Sequence, residues 1–312
     1  MGLTVAVTGP TGEIGISAVT ALDRDPVVER IIGMARRPFE PARQGWTKTE
    51  YRQGDITDRD DVDDLVADAD VVVHLAFIIM GTREESARVN LAGTRLVYTS
   101  SVAAYGYHSD NPSPITEDVP PRGSPEHYYS EQKAACEAAL KETVAGSDLE
   151  VYVLRPCIVA GPKAPALADV MPWNQLPGPI KRVTQMLPLP KPLMPDPGVP
   201  MQLVHHDDVA SAIALAVTTD APPGAYNLAG DGVVSISEVA TELGARPVRV
   251  PQSAATAASG LMARLPFLPS SLEWLHASRT SVVMDTGKAK TQLGWEPKYT
   301  AAETLSEMGR SL

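Results

Sequence analysis

Met1 to Gly15 reads MGLTVAVTGPTGEIG, and this stretch decides the fold. Leu3 to Val7 is a short apolar, β-branched run of the kind that forms a buried parallel strand, and Thr8-Gly9-Pro10-Thr11-Gly12-Glu13-Ile14-Gly15 follows at once. Three glycines spaced three apart have separate physical tasks at a strand-to-helix junction. Gly9 permits the tight turn, Gly12 lets the backbone approach a pyrophosphate with no Cβ in the way, and Gly15 lets the new helix pack closely on the strand. The helix running on through Ile16, Val19 and Leu22 points its first amides, around Thr11, Glu13 and Ile14, at the phosphates. The stretch predicts a dinucleotide site at the head of an α/β sheet.

With 312 residues, 44% of them apolar, the chain can bury a sizeable core. A formal charge of -11 and the lack of a basic tract argue against a nucleic-acid partner, because phosphate-backbone binding rests on a basic surface. No apolar run reaches membrane-spanning length and the first residues enter a strand directly, so the expectation is a cytoplasmic protein with no membrane partner. Cys136 and Cys157 are the only cysteines, in neither a CxxC nor a zinc spacing, and read as apolar fillers.

Outward from the glycine turn, a second strand is predicted over Arg30 to Ala35, ending in Arg36-Arg37-Pro38. An acid closing this strand would accept the adenosine ribose hydroxyls of NAD; Ala35 followed by two arginines suits the extra phosphate of NADP, with NAD as the alternative. The acidic run Asp58 to Asp64 opens a helix, and Asp70 to Ala76 is the next buried strand. Strands alternating with helical stretches imply a right-handed, parallel, doubly wound sheet. Leu96 to Thr99 is a strand leading into Ser100 and Ser101, at the carboxyl edge where open α/β sheets bind ligands.

Beyond a proline-rich loop, Tyr128 to Ala134 reads as helical, and Tyr129 and Lys133, four apart, share one face. If that face meets the strand end of Ser101, chemistry follows. Ser101 would hydrogen-bond a substrate oxygen and Tyr129 would exchange a proton with it. Lys133 would hold the nicotinamide ribose and, with the positive nicotinamide, favour the phenolate of Tyr129. His205 and His206 invite a metal reading, but with Asp207 and Asp208 starting a helix they read as a structural hinge, and no metal site is expected.

TGPTGEIG at 8–15, GDITD at 54–58, HLA at 74–76, VNLAGT at 89–94, TSSVAAYG at 99–106, YSEQK at 129–133 and LRPCIVAGP at 154–162 together resemble the extended short-chain dehydrogenase/reductases. More narrowly they resemble the NAD-dependent epimerase/dehydratases, a likeness continued by VHHDDVASAI at 204–213, AYNLAG at 225–230 and TGKAKTQLGWEP at 286–297. The resemblance implies a Rossmann-type domain over 1–160, with 201–230 returning to it, and a smaller C-terminal substrate-binding lobe from 161–200 and 231–312. It implies that Asp55 and Ile56 flank the adenine, that Leu75 and Ala76 line the dinucleotide, and that Pro156 to Val159 lies beside the nicotinamide. It also implies a catalytic trio of Ser101, Tyr129 and Lys133, with Asn90 as a fourth member, and a homodimer.

The departures narrow the function. Sugar dehydratases of this kind carry an acidic pair after the catalytic hydroxyl, where this chain has Val102-Ala103, so dehydration is not expected. Nucleotide-sugar enzymes commonly have an arginine ahead of the VHxDD-like segment; Met201-Gln202-Leu203 stands there, and Cys157-Ile158-Val159 replaces the usual asparagine-containing strand. The proline-rich segment Lys163 to Pro200 carries apolar Met171, Trp173, Leu176 and Met194, which suits a less polar carbonyl or alcohol, although Lys181 and Arg182 leave a phosphate contact open. The crossover before the catalytic strand is about four helical turns short of its relatives. Either residues are lost from the sequence near Arg95, or a real deletion displaces Asn90. The expectation is hydride transfer between NAD(P) and a carbonyl or alcohol. A nucleotide-sugar 4-epimerase is the alternative, and a non-catalytic dinucleotide sensor the second.

Overall fold

The computed structural model describes residues 2–76, 95–169, 171, 191–251 and 281–311. Its centre is a seven-stranded sheet of β1 (Leu3–Thr8), β2 (Val28–Ala35), β3 (Thr49–Gln53), β4 (Val71–His74), β5 (Arg95–Thr99), β6 (Glu150–Pro156) and β11 (Gly224–Leu228). The order is β11-β6-β5-β4-β1-β2-β3, and every neighbouring pair is parallel. The order runs outward both ways from β1 and β4, the doubly wound arrangement expected from the alternating pattern.

Both faces of the sheet are buried, which is why its strands read as continuous apolar runs rather than as alternations. Val5 and Val7 point into one core with Ile31, Val73 and Val97, covered by α1 (Glu13–Arg24) and the later helix His206–Thr218. Ala6, between them, points the other way with Ile32, Val72 and Leu96, against Val62, Leu65 and Val66 of α2 (Arg59–Val66) and Leu140 of α3 (Tyr128–Thr143). Asp58 caps α2 by accepting from the amides of Asp60 and Asp61, so the acidic run opens the helix where its dipole favours negative charge. The predicted strand over Arg30 to Ala35 begins two residues earlier, at Val28, because pairing with Leu3 of β1 extends it.

A second core, holding Met171, Met194, Leu203, Val239 and Leu305, lies among the small strands and helices of the later chain. They are β7 (Ile158–Ala160), α4 (Ala166–Asp169), β8 (Leu193–Asp196), β9 (Pro200–Met201), β10 (Leu203–His205), α5 (His206–Thr218) and β12 (Val234–Ser235), then α6 (Ile236–Glu242), β13 (Arg246–Arg249), α7 (Gly287–Gln292) and α8 (Ala301–Arg310). Ser235 and Glu238 form a capping box at α6. Among the described residues no helix is long and apolar enough to cross a membrane. The segment around Trp173, Lys181 and Arg182 and the crossover carrying Asn90 lie outside the described residues.

Candidate active site

The turn after β1 is built from backbone, and its three glycines answer to three different constraints. Gly9 sits at φ +72°, and a Cβ there would come within 3.0 Å of the Ala76 amide nitrogen. Gly15 is needed for packing: its Cβ would lie 2.2 Å from the Gly9 carbonyl oxygen. The helix thus closes on the turn itself rather than on the strand, a tighter junction than the sequence suggested. Gly12 differs from both. Its φ is an ordinary -78°, and the nearest chain atom to an added Cβ is 3.5 Å away. The fold does not require glycine there, and the bare backbone leaves a cradle at the N-terminus of α1 that fits a pyrophosphate.

Thr8 ties this turn to the next strand. Its hydroxyl oxygen accepts from the amides of Leu75 (3.2 Å) and Ala76 (3.3 Å) and contacts His74 Nδ1 at 3.0 Å. Burial, with the Lys133 charge second, brings the His74 ring down to about 4, so it is neutral at physiological pH. The Glu13 carboxyl turns away from the cradle to the Ala166 amide; burial first, then the Asp169 charge, pushes it up.

At the end of β2 the backbone of residues 35–37 is fastened by β3. The Tyr51 hydroxyl donates to the carbonyls of Ala35 and Arg37, and Gln53 Nε2 donates to that of Arg36 at 3.0 Å. Both guanidinium groups are exposed at the sheet's carboxyl edge. Asp55, the next turn along, accepts from the Thr57 amide and hydroxyl, both at 3.0 Å. Those bonds, more than the nearby Arg36 charge, hold its carboxyl below the ordinary range. Ile56 is half-buried against the α2 side of the core.

Ser101 follows β5 and caps a short 3-10 turn, its Oγ accepting from the Ala103 amide at 3.2 Å. The same hydroxyl hydrogen-bonds the Tyr129 phenol. Lys133 Nζ donates to the Thr99 carbonyl at 3.0 Å and stands 5.9 Å from the Tyr129 ring centre and 5.1 Å from that of Tyr98. The helix carrying both is seated by His127, whose Nδ1 accepts the Ser130 amide, and by the Ser130 hydroxyl on the Ala103 carbonyl at 2.6 Å. The i, i+4 register therefore brings Tyr129 and Lys133 together onto the strand end of Ser101.

This corner adjoins the glycine turn. Thr8, His74 and Tyr98 stand in one row across β1, β4 and β5, and the His74 and Tyr98 rings stack at 5.8 Å. Thr8, His74, Tyr98 and Lys133 thus form a continuous line of contacts. Pro156 closes β6, buried opposite Leu228, while Val159 lies half-buried in β7 opposite Val204.

Burial shifts both Tyr129 and Lys133 from their ordinary values. Burial raises the Tyr129 phenol, and the Ser101 hydrogen bond only partly opposes this. Burial also brings Lys133 down to about 8, against the pull of Cys136 and Glu137. Desolvation disfavours the charged form of each.

Beneath the trio lies a network that the sequence reading missed. Glu137 and Arg155 form a bidentate ion pair at 3.0 and 2.6 Å, each side chain 6% exposed. Ser100 Oγ donates to Glu137 at 2.5 Å; Arg155 Nη1 reaches the Tyr105 hydroxyl at 2.7 Å, which donates to Asn227 Oδ1 at 2.7 Å. The available signal was spacing, since Glu137 repeats the step of four from Tyr129 to Lys133.

His205 and His206 are both 2% exposed. His205 caps α5, its Nδ1 accepting the Asp207 amide at 3.2 Å, while His206 Nδ1 bonds Asp207 Oδ1 at 3.0 Å and Ser17 Oγ at 2.9 Å. With Asp207 they make a cluster of three potential metal ligands. Among the described residues neither Nε2 atom, both of them buried, has a hydrogen-bond partner. An accepting Nδ1 leaves the proton on His205 Nε2, so that atom is a donor and not a ligand, and the pair fastens β10 and α5 to α1. Gln202, in the Met201-Gln202-Leu203 stretch where the relatives' arginine was expected, spends its amide on Met284, donating to the carbonyl at 3.1 Å and accepting from the amide at 2.8 Å.

The family model of NAD dependent epimerases/dehydratases matches residues 5–229. The uncharacterized protein y4nG of Sinorhizobium fredii is 25% identical over 326 residues, spanning 97% of this chain and 77% of its own. Sterol demethylase protein B of Methylococcus capsulatus is 29% identical over 177 residues, covering 51% of this chain and 52% of its own. Among solved structures, the dTDP-glucose 4,6-dehydratase of Bacillus anthracis in complex with NAD superposes with a TM-score of 0.71 at 18% identity, over 99% of this chain and 96% of that one.

Proposed function

Because the chain belongs to the NAD dependent epimerase/dehydratase family, we propose that it is an NAD(P)-dependent oxidoreductase moving hydride between nicotinamide and a carbonyl or alcohol. The observation that carries this reading is the Tyr129 phenol on the Ser101 hydroxyl, with Lys133 behind it, beside the glycine cradle. The bound dinucleotide supplies or accepts the hydride. The amides around Thr11, Gly12, Glu13 and Ile14 hold its pyrophosphate and Lys133 its nicotinamide ribose. Arg36 and Arg37, exposed at the β2 end, favour the additional phosphate of NADP over NAD. Asp55, Ile56, Leu75, Ala76, Pro156 and Val159 line it, as the family resemblance implies.

In the reducing direction Ser101 orients the carbonyl oxygen and the protonated Tyr129 donates to it as negative charge develops. Lys133 then stabilises the phenolate left behind. The reverse sequence oxidises an alcohol. Residues 161–200 and 231–312 would supply the substrate lobe, and the apolar residues in the sequence of its proline-rich segment suit a weakly polar substrate.

A 4-epimerase of nucleotide sugars uses the same trio without net cofactor turnover, and the family match favours keeping it as the second reading. Against it stands Gln202, whose amide is spent on Met284 where an arginine would grip a diphosphate. The test is a panel of ketones, aldehydes and nucleotide sugars, each with NADH and NADPH, followed by nicotinamide absorbance. Net oxidation with a carbonyl supports the reductase. Interconversion of a nucleotide sugar at constant absorbance replaces it with the epimerase.

A further inference from the structure

Lys133 has a difficult task in this site. Its ammonium is 5% exposed, between the Tyr98 and Tyr129 rings, with the Thr99 carbonyl as hydrogen-bond acceptor. A lysine so placed tends to shed its proton, since burial alone can carry an ammonium down by several units. One turn further along the same helix is Glu137, fully engaged: Oε1 accepts from Ser100 Oγ and Arg155 Nε, and Oε2 from Arg155 Nη2. Ser100 precedes Ser101, and Arg155 precedes Pro156 at the end of β6. Tyr105 and Asn227 extend the anchoring to β11, where Asn227 Nδ2 reaches the Ile115 and Asp285 carbonyls, both at 3.2 Å.

We propose that Glu137, clamped by Arg155 and Ser100, is the positioning residue that fixes the Tyr129–Lys133 face of α3 on the Ser101 strand end and keeps the Lys133 ammonium charged. The pair joins the helix carrying the proton donor to the strand bearing the substrate-orienting hydroxyl and to the strand beside it. A buried carboxylate held by a bidentate arginine and a hydroxyl donor keeps one geometry. Its charge then acts on the ammonium one turn away through a low-dielectric interior. Among the described residues, the titratable groups around Lys133 are Tyr129, Cys136 and Glu137 on its own helix, Tyr98 on β5 and His74 on β4, with Arg155 on β6 behind Glu137. This role rests on the oxidoreductase reading, because it matters only if Lys133 serves a bound nicotinamide ribose and Tyr129.

The experiment is NMR titration of Lys133 in full-length protein labelled with [ε-13C]lysine, its signal assigned by loss in Lys133→Met. In the wild type the signal should titrate at about 8; titration at about 6 or below, the value of a buried lysine with no supporting charge, overturns the proposal. Glu137→Gln, which leaves Arg155 cationic, should move it down by about one unit, and Arg155→Met, which leaves Glu137 uncountered, up by a similar amount. A folded Glu137→Gln protein titrating as wild type also overturns it. Because loss of one buried partner can unfold the chain, the wild-type value decides alone if neither variant folds. Calorimetric titration with NADH and NADPH runs alongside. Failure of both to bind removes the oxidoreductase reading while leaving the Lys133 result standing.

Discussion

The two ends of the candidate site are built from different materials. The glycine turn is backbone: amides at a helix start, a left-handed Gly9 and a Gly12 that the fold could replace. The tyrosine end is side chains, seated on a buried ion pair and a chain of hydroxyls. A backbone site fails when a Cβ fills it. A side-chain site fails when a proton or a partner is lost. The difference teaches where each end is vulnerable.

The largest effect expected is at the tyrosine end. Tyr129→Phe should lower turnover by roughly 10²–10⁴-fold, the usual worth of a positioned general acid, with dinucleotide affinity held within about twofold. Steady-state rates beside calorimetric binding would show this, and a variant turning over at the wild-type rate would break the contrast.

The glycines sharpen the other end. Gly12→Ala should leave the melting temperature unchanged, its Cβ meeting nothing in the chain nearer than 3.5 Å, yet weaken dinucleotide binding by about tenfold, or ~1.4 kcal/mol. Gly15→Ala should lose both, since a Cβ 2.2 Å from a carbonyl oxygen forces the turn apart. Thermal melts and fluorescence titration with NADPH separate the two variants. If Gly12→Ala melted as early as Gly15→Ala, the cradle would be a structural requirement instead.

A smaller effect is expected at the β2 end. Arg36→Ala combined with Arg37→Ala should cost NADPH about fivefold in affinity and NADH almost nothing, because the side chains are exposed and only the additional phosphate calls on them. Equal losses for the two cofactors would remove the NADP preference.

A last effect, on stability, comes from the same tyrosine end. With the folded Lys133 brought down to about 8, the unfolded chain holds more protons than the folded one between about 8 and the ordinary lysine value near 10.4, so Lys133 adds stability as pH rises through that window. Below it the full cost of burying the ammonium is present. Melts from pH 7 to 10 should show this rise in the wild type relative to Lys133→Met, where the contribution is gone.

How much was legible follows the same division. The strand, turn and helix of residues 3–24 could be read because apolar runs and glycine spacing act locally. Tyr129 was selected over Tyr128 by helical register alone, and Tyr128 is indeed exposed. Glu137 with Arg155, and Tyr105 with Asn227, could not be read as pairs. They are 18 and 122 residues apart, and nothing in either neighbourhood names the other. The tautomers of His205 and His206 are settled by the amide and carboxylate of Asp207 next to them in the chain, and only the contact of His206 Nδ1 with Ser17 Oγ, 189 residues away, lay out of reach of the sequence.

By itself the sequence determined the parallel α/β fold, the backbone turn and the face shared by Tyr129 and Lys133, because residue spacing and backbone freedom are properties of neighbours along the chain. Only the tertiary structure decided which side chains meet beneath that face, that Gln202 is spent on Met284, and that burial raises the Tyr129 phenol. Those outcomes depend on strand order and on how much water packing removes, and neither is written in any short stretch of residues.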